Sequence, residues 1–256
     1  VKSVNNSITT SPIKCLKALF KADFIVLKTR PSVIISIALP VFLLIIWNNK
    51  GTISSYGGAL PTIAIVICTG ILTLSVMGYS ISTARDREKG VFQRLRVTPA
   101  PTWTIMASRI LVQEITNLLI AFVVLVIGSH LYKVSLSVED YVLVMLTALM
   151  AGLVFLSIGQ ALVGLIKSAD SINSIGRFVY IAFIVFGLSG LSGGLGHTVE
   201  IIAKWTPYGS VITVFEGIPH LGTWSTHTSF ALLTCAGYIL VFSLSGLSGK
   251  LDSKLL

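Results

Sequence analysis

The sequence predicts an all-α integral membrane protein. It should have six transmembrane helices, an N-terminal amphipathic interfacial helix, and short re-entrant helices before the last span. Three observations carry this expectation. Of the 256 residues, 54% are hydrophobic and only 11% are charged, with a mean hydropathy of +0.88; a soluble domain is about 25% charged. The apolar residues gather into six runs, each near the roughly 20 residues that a bilayer core of about 30 Å requires. The charges gather at the ends of those runs, with a strong bias in sign.

Residues 1–30 form the first unit. Its polar start reads as a loose cytoplasmic tail. Over 14–28, Leu16, Leu19, Phe20, Phe24 and Leu27 recur at helical spacing while Lys14, Lys17, Lys21 and Lys28 fill the gaps. That pattern predicts a basic amphipathic helix lying at the inner headgroups. The six-span domain covers 31–249, and 250–256 is a second cytoplasmic tail. Run one is 31–47, with Pro40 expected to kink it and Trp47 at an interface. Run two is 59–81. A charged inner loop, 84–101, leads to run three at 105–127, preceded by Trp103. Run four, 141–166, is long enough to tilt. Run five is 178–195 and run six 230–247.

The segment 196–229 is expected on the outside, yet much of it is apolar: Val199, Ile201, Ile202, Trp205, Val211, Ile212, Val214, Phe215. Pro207 and Gly209 interrupt it too often for a span. Two short helices dipping into the outer leaflet, joined at a Pro-Tyr-Gly turn, fit best, and backbone at that depth must pack against protein.

Charge tests the layout. Fifteen of the nineteen Lys/Arg residues fall on the expected inside and three, Lys50, Lys133 and Lys204, on the outside, with Arg109 near the inner start of run three. Basic short loops stay cytoplasmic, so both termini should be inside. The same placement removes nucleic acid as the explanation of the +9 formal charge, and leaves anionic headgroups as neighbours. Cys15, Cys68 and Cys235 have no metal-site spacing and read as small apolar fillers. No cleavable signal peptide is expected, because the first run has no small-residue cleavage pattern behind it. Asn5-Asn6-Ser7 is a sequon on the basic side and is discounted.

Catalytic motifs are missing. Residues 245–251 read SGLSGKL, which glances at a P-loop, but the spacing is wrong and Leu follows the Lys. No GxSxG, HExxH or paired-carboxylate arrangement is present. His130, His197, His220 and His227 all fall in expected outer segments, spaced unlike a ligand set.

The inner loop is the most specific stretch. Residues 84–101 read ARDREKGVFQRLRVTPAP and hold five of the Lys/Arg residues and two of the ten acids. Orientation explains the positives but not Asp86 and Glu88 among them. The mixed cluster with a Gly, the apolar-Arg-Leu segment and Thr98-Pro99 together resemble the signature of ABC-2 type transporter permeases. The order of elements is similar too. Trp205-Thr206-Pro207-Tyr208 resembles the family's Asn-Pro element, with Thr206 where Asn is common. The resemblance covers most of the chain in layout and is sharp in residues only over 84–101.

That resemblance implies a permease subunit of an ATP-binding cassette exporter rather than an enzyme. ATP and Mg would be bound by a partner ATPase, in two copies, and no cofactor by this chain. A second permease copy, or a related permease, would complete the path. The cargo would be a drug, antibiotic or other lipid-like amphiphile leaving a bacterial cell, with lipid-linked polysaccharide as the alternative. The loop would be the ATPase-coupling element, a short helix docked in the ATPase. Arg85, Asp86, Arg87, Glu88, Arg94 and Arg96 would offer charged contacts. Gly90 would turn the backbone, Phe92 and Leu95 would be apolar anchors at i and i+3, and Thr98-Pro99 would end the helix.

Within the membrane Glu114 stands out, about 15 Å into run three. Gln113 and Asn117 neighbour it, and Gln160 lies in run four. A carboxylate there must face protein or water. Glu114, Asn117 and Gln160 are therefore candidates for a translocation path. Equally, Glu114 is a structural partner for Arg109 or for another span. Gly190, Gly193, Gly194 and Gly196 suit a close helix contact, at a subunit interface or gate. A membrane enzyme would need converging catalytic groups, and an ion-driven carrier would need more intramembrane acids and matched broken helices; neither pattern is developed here.

Overall fold

The computed structural model describes residues 12–28, 31–48, 50–91, 93, 102–191, 196–217 and 224–252. Every secondary-structure element among them is helical. In chain order these are α1 (Pro12–Lys28), α2 (Pro31–Ile46), α3 (Lys50–Ser55) and α4 (Ala59–Leu72). A π-helical segment (Thr73–Tyr79) and α5 (Ser80–Glu88) continue α4. Then come α6 (Thr102–Leu131), α7 (Val138–Leu165), α8 (Ala169–Leu191), α9 (His197–Trp205), α10 (Pro207–Glu216) and α11 (Thr226–Asp252).

Among the described residues, five helices are long and apolar enough to cross a membrane: Ala59–Glu88, Thr104–Leu131, Val138–Leu165, Ala169–Leu188 and Thr226–Gly246. The expected first span is not among these five. Residues of run one form the 16-residue α2, of which Ile37–Ile46 is a shorter apolar helix. α2 runs through Pro40 without a break. Its proline ring lies against Gly70 of α4, where an added Cβ would stand 2.9 Å from Pro40 Cγ. Small residues permit such close helix approach.

α4 is the centre of the bundle. Its sequence is apolar on all sides, as a helix enclosed by others should be, and Thr62–Leu72 are all buried. α2, α6, α7 and α10 pack around it. α7 begins with a capping box: Ser137 Oγ accepts from Asp140 N and Asp140 Oδ2 accepts from Ser137 N at 2.8 Å, which satisfies two otherwise orphaned amides. α7 then lies along α11. At Gly164 the two backbones nearly touch, an added Cβ falling 2.7 Å from Gly246 O. Cys68 and Cys235 are fully buried in the same core. α1 packs on the start of α6, where Ser108 Oγ donates to Asp23 Oδ2. Ile13, Phe24 and Ile25 stay exposed, as on a helix with an apolar face toward a membrane surface.

α9 and α10 are the two short helices expected in 196–229. The break falls at Thr206, one residue earlier than the Pro-Tyr-Gly turn. Thr206 caps α10 by accepting from Gly209 N at 3.1 Å, with Pro207 in the first turn; both are favoured there. Gly209 lies inside α10. It is required because an added Cβ would collide with Ala203 O. Tyr208 is fully buried and its hydroxyl reaches Thr69 Oγ1 at 2.9 Å and Ile65 O at 3.3 Å. Ile65 is about 9 Å along α4 from Ala59, so the Tyr208 side chain reaches well inside the bundle. Gly187 of α8 makes room for the tyrosine ring.

Candidate functional site

The sequence places a change from apolar to charged at residue 84 and predicts a loop there. The helix instead continues through Ala84 to Glu88, and only Lys89 and Gly90 turn. Arg and Glu are good helix formers, so charge alone did not end it. Gly90 has φ +67°, a left-handed conformation that glycine adopts at little cost. Phe92, Arg94, Leu95 and Arg96 lie outside the described residues, as do Trp103's side chain and residues 192–195.

This extra helical turn brings three charged residues into the chain's own structure. Arg87 Nη1 donates to Val163 O at 2.7 Å, and its Nη2 donates to Ile166 O and Lys167 O at 2.7 and 2.6 Å. Val163 O belongs to the last turn of α7 and the other two carbonyls follow its end, where a planar guanidinium fork suits the geometry and the charge. Glu88 Oε1 accepts from Ala169 N at 2.7 Å. Ala169 opens α8, where amides are unpaired and negative charge is favoured. Adjacent residues of α5 thus hold both sides of the α7–α8 turn. Asp86 pairs with Arg109 of α6 at 2.9 Å. Arg85 and Lys89 remain exposed. We call this end of the bundle the junction.

A second constellation lies deeper. Asn117 Nδ2 donates to Ser75 Oγ at 3.0 Å and to Glu114 Oε2 at 3.3 Å. Gln113 Nε2 donates to Leu74 O at 3.4 Å. Ser75 and Leu74 belong to the π-helical segment, whose looser turn gives α6 polar groups to bond; such segments concentrate at functional positions. All three α6 side chains are buried, Glu114 being 6% exposed. The Glu114 carboxyl sits directly on Gly152 of α7, in space that a Cβ would fill. Arg109, one partner considered for Glu114, pairs with Asp86, while Glu114 Oε2 accepts from Asn117. Gln160 is not part of this cluster. It lies eight residues beyond Gly152 on α7, about 12 Å, with its backbone against Gly246.

The π-helical segment and the Arg87–Glu88 junction were not anticipated. Nothing in TLSVMGY (residues 73–79) departs from an ordinary apolar helix. For the junction a signal existed: opposite charges next to each other, facing a short turn between two helices.

No curated protein matches the chain. The profile described as "ABC-2 type transporter" matches residues 14–191, about two thirds of the chain, including α1, the junction and the buried polar cluster. A multi-span helical bundle with this match is the membrane component of an ABC transporter, and the chain belongs to the ABC-2 type transporter family.

Proposed function

We propose that the chain is the permease of an exporter, working with a separate ABC ATPase that binds ATP and Mg. The cargo is a drug, antibiotic or other lipid-like amphiphile. The protein sits in a bacterial cell membrane with both termini and the junction cytoplasmic, and α2 supplies a sixth span. Two ATPase copies and a second permease copy complete the transporter. Exposed apolar side chains on α8 and α11, including Phe178, Ile181, Leu233 and Leu240, are available to lipid or to that second copy.

The observation that carries this reading is the junction. An ATPase gripping Arg85, Lys89 and the segment through Arg94, Leu95 and Arg96 would pull on α5. Through Arg87 and Glu88, α5 holds the α7–α8 turn, so one contact surface acts on three spans. Nucleotide biases the gate only by favouring one state over another, and a rigid junction is a way to transmit that preference. In this reading Asp86, Arg87 and Glu88 position the coupling element rather than dock it. Glu114 and Asn117 are structural groups facing α7 and the π-helical segment, and Gln160 keeps the role of a path candidate.

The test is the double variant Arg94→Glu/Arg96→Glu in cells expressing the permease with the ATPase that co-purifies with it. Reversal removes charged contacts and adds repulsion, a loss of roughly 2–5 kcal/mol if the pairs are buried on docking. Co-purification should fall more than tenfold and export should stop, while insertion continues. Normal docking, ATP hydrolysis and export would refute the coupling role.

A further inference from the structure

The end of the bundle opposite the junction holds a cavity of about 600 Å³, a size typical of small-molecule sites. It is walled by the turn before α4 with that helix's first residues, by the consecutive helices α9 and α10, and by the start of α11. The ionisable side chains lining it are Tyr56, Lys204, Glu216 and His227, and Trp205 adds an indole.

The charges there are unequally satisfied. Lys204 Nζ donates to Glu200 Oε1 at 2.8 Å. It also sits in the last turn of α9, where positive charge is favoured. The hydrogen bond and charge of Lys204 hold the Glu200 carboxyl below the usual carboxylate range. Glu216 is different. It is the last residue of α10, where the helix dipole opposes a negative charge. Among the described residues no hydrogen bond or ion pair reaches it. Desolvation pushes its carboxyl above the usual range, offset in part by Lys204. Among the described residues, then, the cavity carries one carboxylate, the exposed Glu216, that makes no hydrogen bond or ion pair, and Lys204, held by Glu200, acts on it only through space.

Its other walls define what kind of cation fits. The Tyr56 ring, stacked on Trp47 with centroids 5.5 Å apart, and the Trp205 indole offer aromatic faces, which attract organic cations. A single carboxylate does not make a hard-metal site, which needs six or more oxygen ligands. Trp205, Ile201 and neighbouring Ile202 are each about half exposed and present an apolar surface beside the cavity.

We propose that this cavity binds an organic cation with an apolar body, the cationic centre beside Glu216 and the body over Trp205 and Ile201. Such a ligand is either a resident aminophospholipid or a cationic amphiphile that is not a membrane lipid. Binding requires neither the ATPase nor export, so this site stands or falls separately from the transport reading.

The experiment uses the full chain in dodecyl maltoside and radiolabelled tetraphenylphosphonium, with tetraphenylborate, an anion of the same shape, measured separately. The cation should bind saturably and at least tenfold more tightly than the anion. Glu216→Gln should weaken cation binding about tenfold with an unchanged melting temperature, and Trp205→Leu should weaken it independently. Equal binding of the two ions, or full cation binding by Glu216→Gln, overturns the proposal. Displacement of the probe by phosphatidylethanolamine but not by phosphatidylglycerol identifies the lipid source. Displacement by neither identifies a non-lipid cation.

Discussion

Replacing Arg87 with alanine should loosen the α7–α8 turn while leaving the rest of the bundle folded. The guanidinium makes three hydrogen bonds, of 2.6 to 2.7 Å, to one carbonyl in the last turn of α7 and two just beyond it. A bond to a charged group contributes about 1.5–3 kcal/mol when protected. Here one acceptor is exposed and the others half-buried, and the freed carbonyls can take water. About 1 kcal/mol for each of the two half-buried bonds, and less for the third, gives about 2–3 kcal/mol. That is a shift of about 30- to 150-fold in how often the turn opens. Hydrogen exchange of the peptide covering 163–172, in the detergent-solubilised chain, reads this directly. Exchange should speed by at least an order of magnitude in Arg87→Ala. Arg87→Lys keeps the charge but has a single ammonium in place of the fork, so it should restore less than half of the protection. Glu88→Gln keeps an acceptor for Ala169 N and should speed exchange only a few-fold, whereas Glu88→Lys, with a cation at the start of α8, should approach Arg87→Ala. Unchanged exchange of this peptide in Arg87→Ala would refute the claim that the side chain holds the turn.

Two further predictions concern packing. Gly152→Ala should lower the melting temperature by several degrees, because its Cβ would enter the space of the Glu114 carboxyl; Glu114→Ser in the same chain should recover most of the loss, and no recovery would show that the two do not compete for that space. Thr206→Ala should cost about 1 kcal/mol as a lost helix cap, while Thr206→Asn should be neutral, as judged by thermal unfolding of the purified chain.

How far the sequence reveals this structure depends on what each residue type reports. Apolar run length located α4, α6, α7, α8 and α11, since a bilayer sets that length and little else does. Run one, 31–47, forms the 16-residue α2, shorter than the other five. Turn chemistry located the break between α9 and α10, and the cap explains why threonine stands at 206 where asparagine is common: both side chains accept from the helix amides. Helix ends were harder. Polarity marks where a helix leaves an apolar medium, not where its hydrogen bonds stop, so α5 was read as loop. The partners of Asp86, Arg87, Glu88 and Glu114 lie tens of residues away in sequence, and only the fold brings them within bonding distance.

The π-helical segment has a consequence for how this bundle moves. On its far side α4 is fixed by Tyr208 bonding Thr69 and Ile65 O; on its near side α5 is fixed by Asp86, Arg87 and Glu88. Between two fixed ends, a helix that winds with a surplus residue cannot slide by an arbitrary amount. If the surplus passes along the segment by one residue, the stretch it crosses turns by about 100° and shifts by about 1.5 Å. The Asn117–Ser75 and Gln113–Leu74 bonds hold the present setting. Any such movement would therefore go in steps of one residue, as in a detent, with the α6 side chains Gln113 and Asn117 supplying the notches.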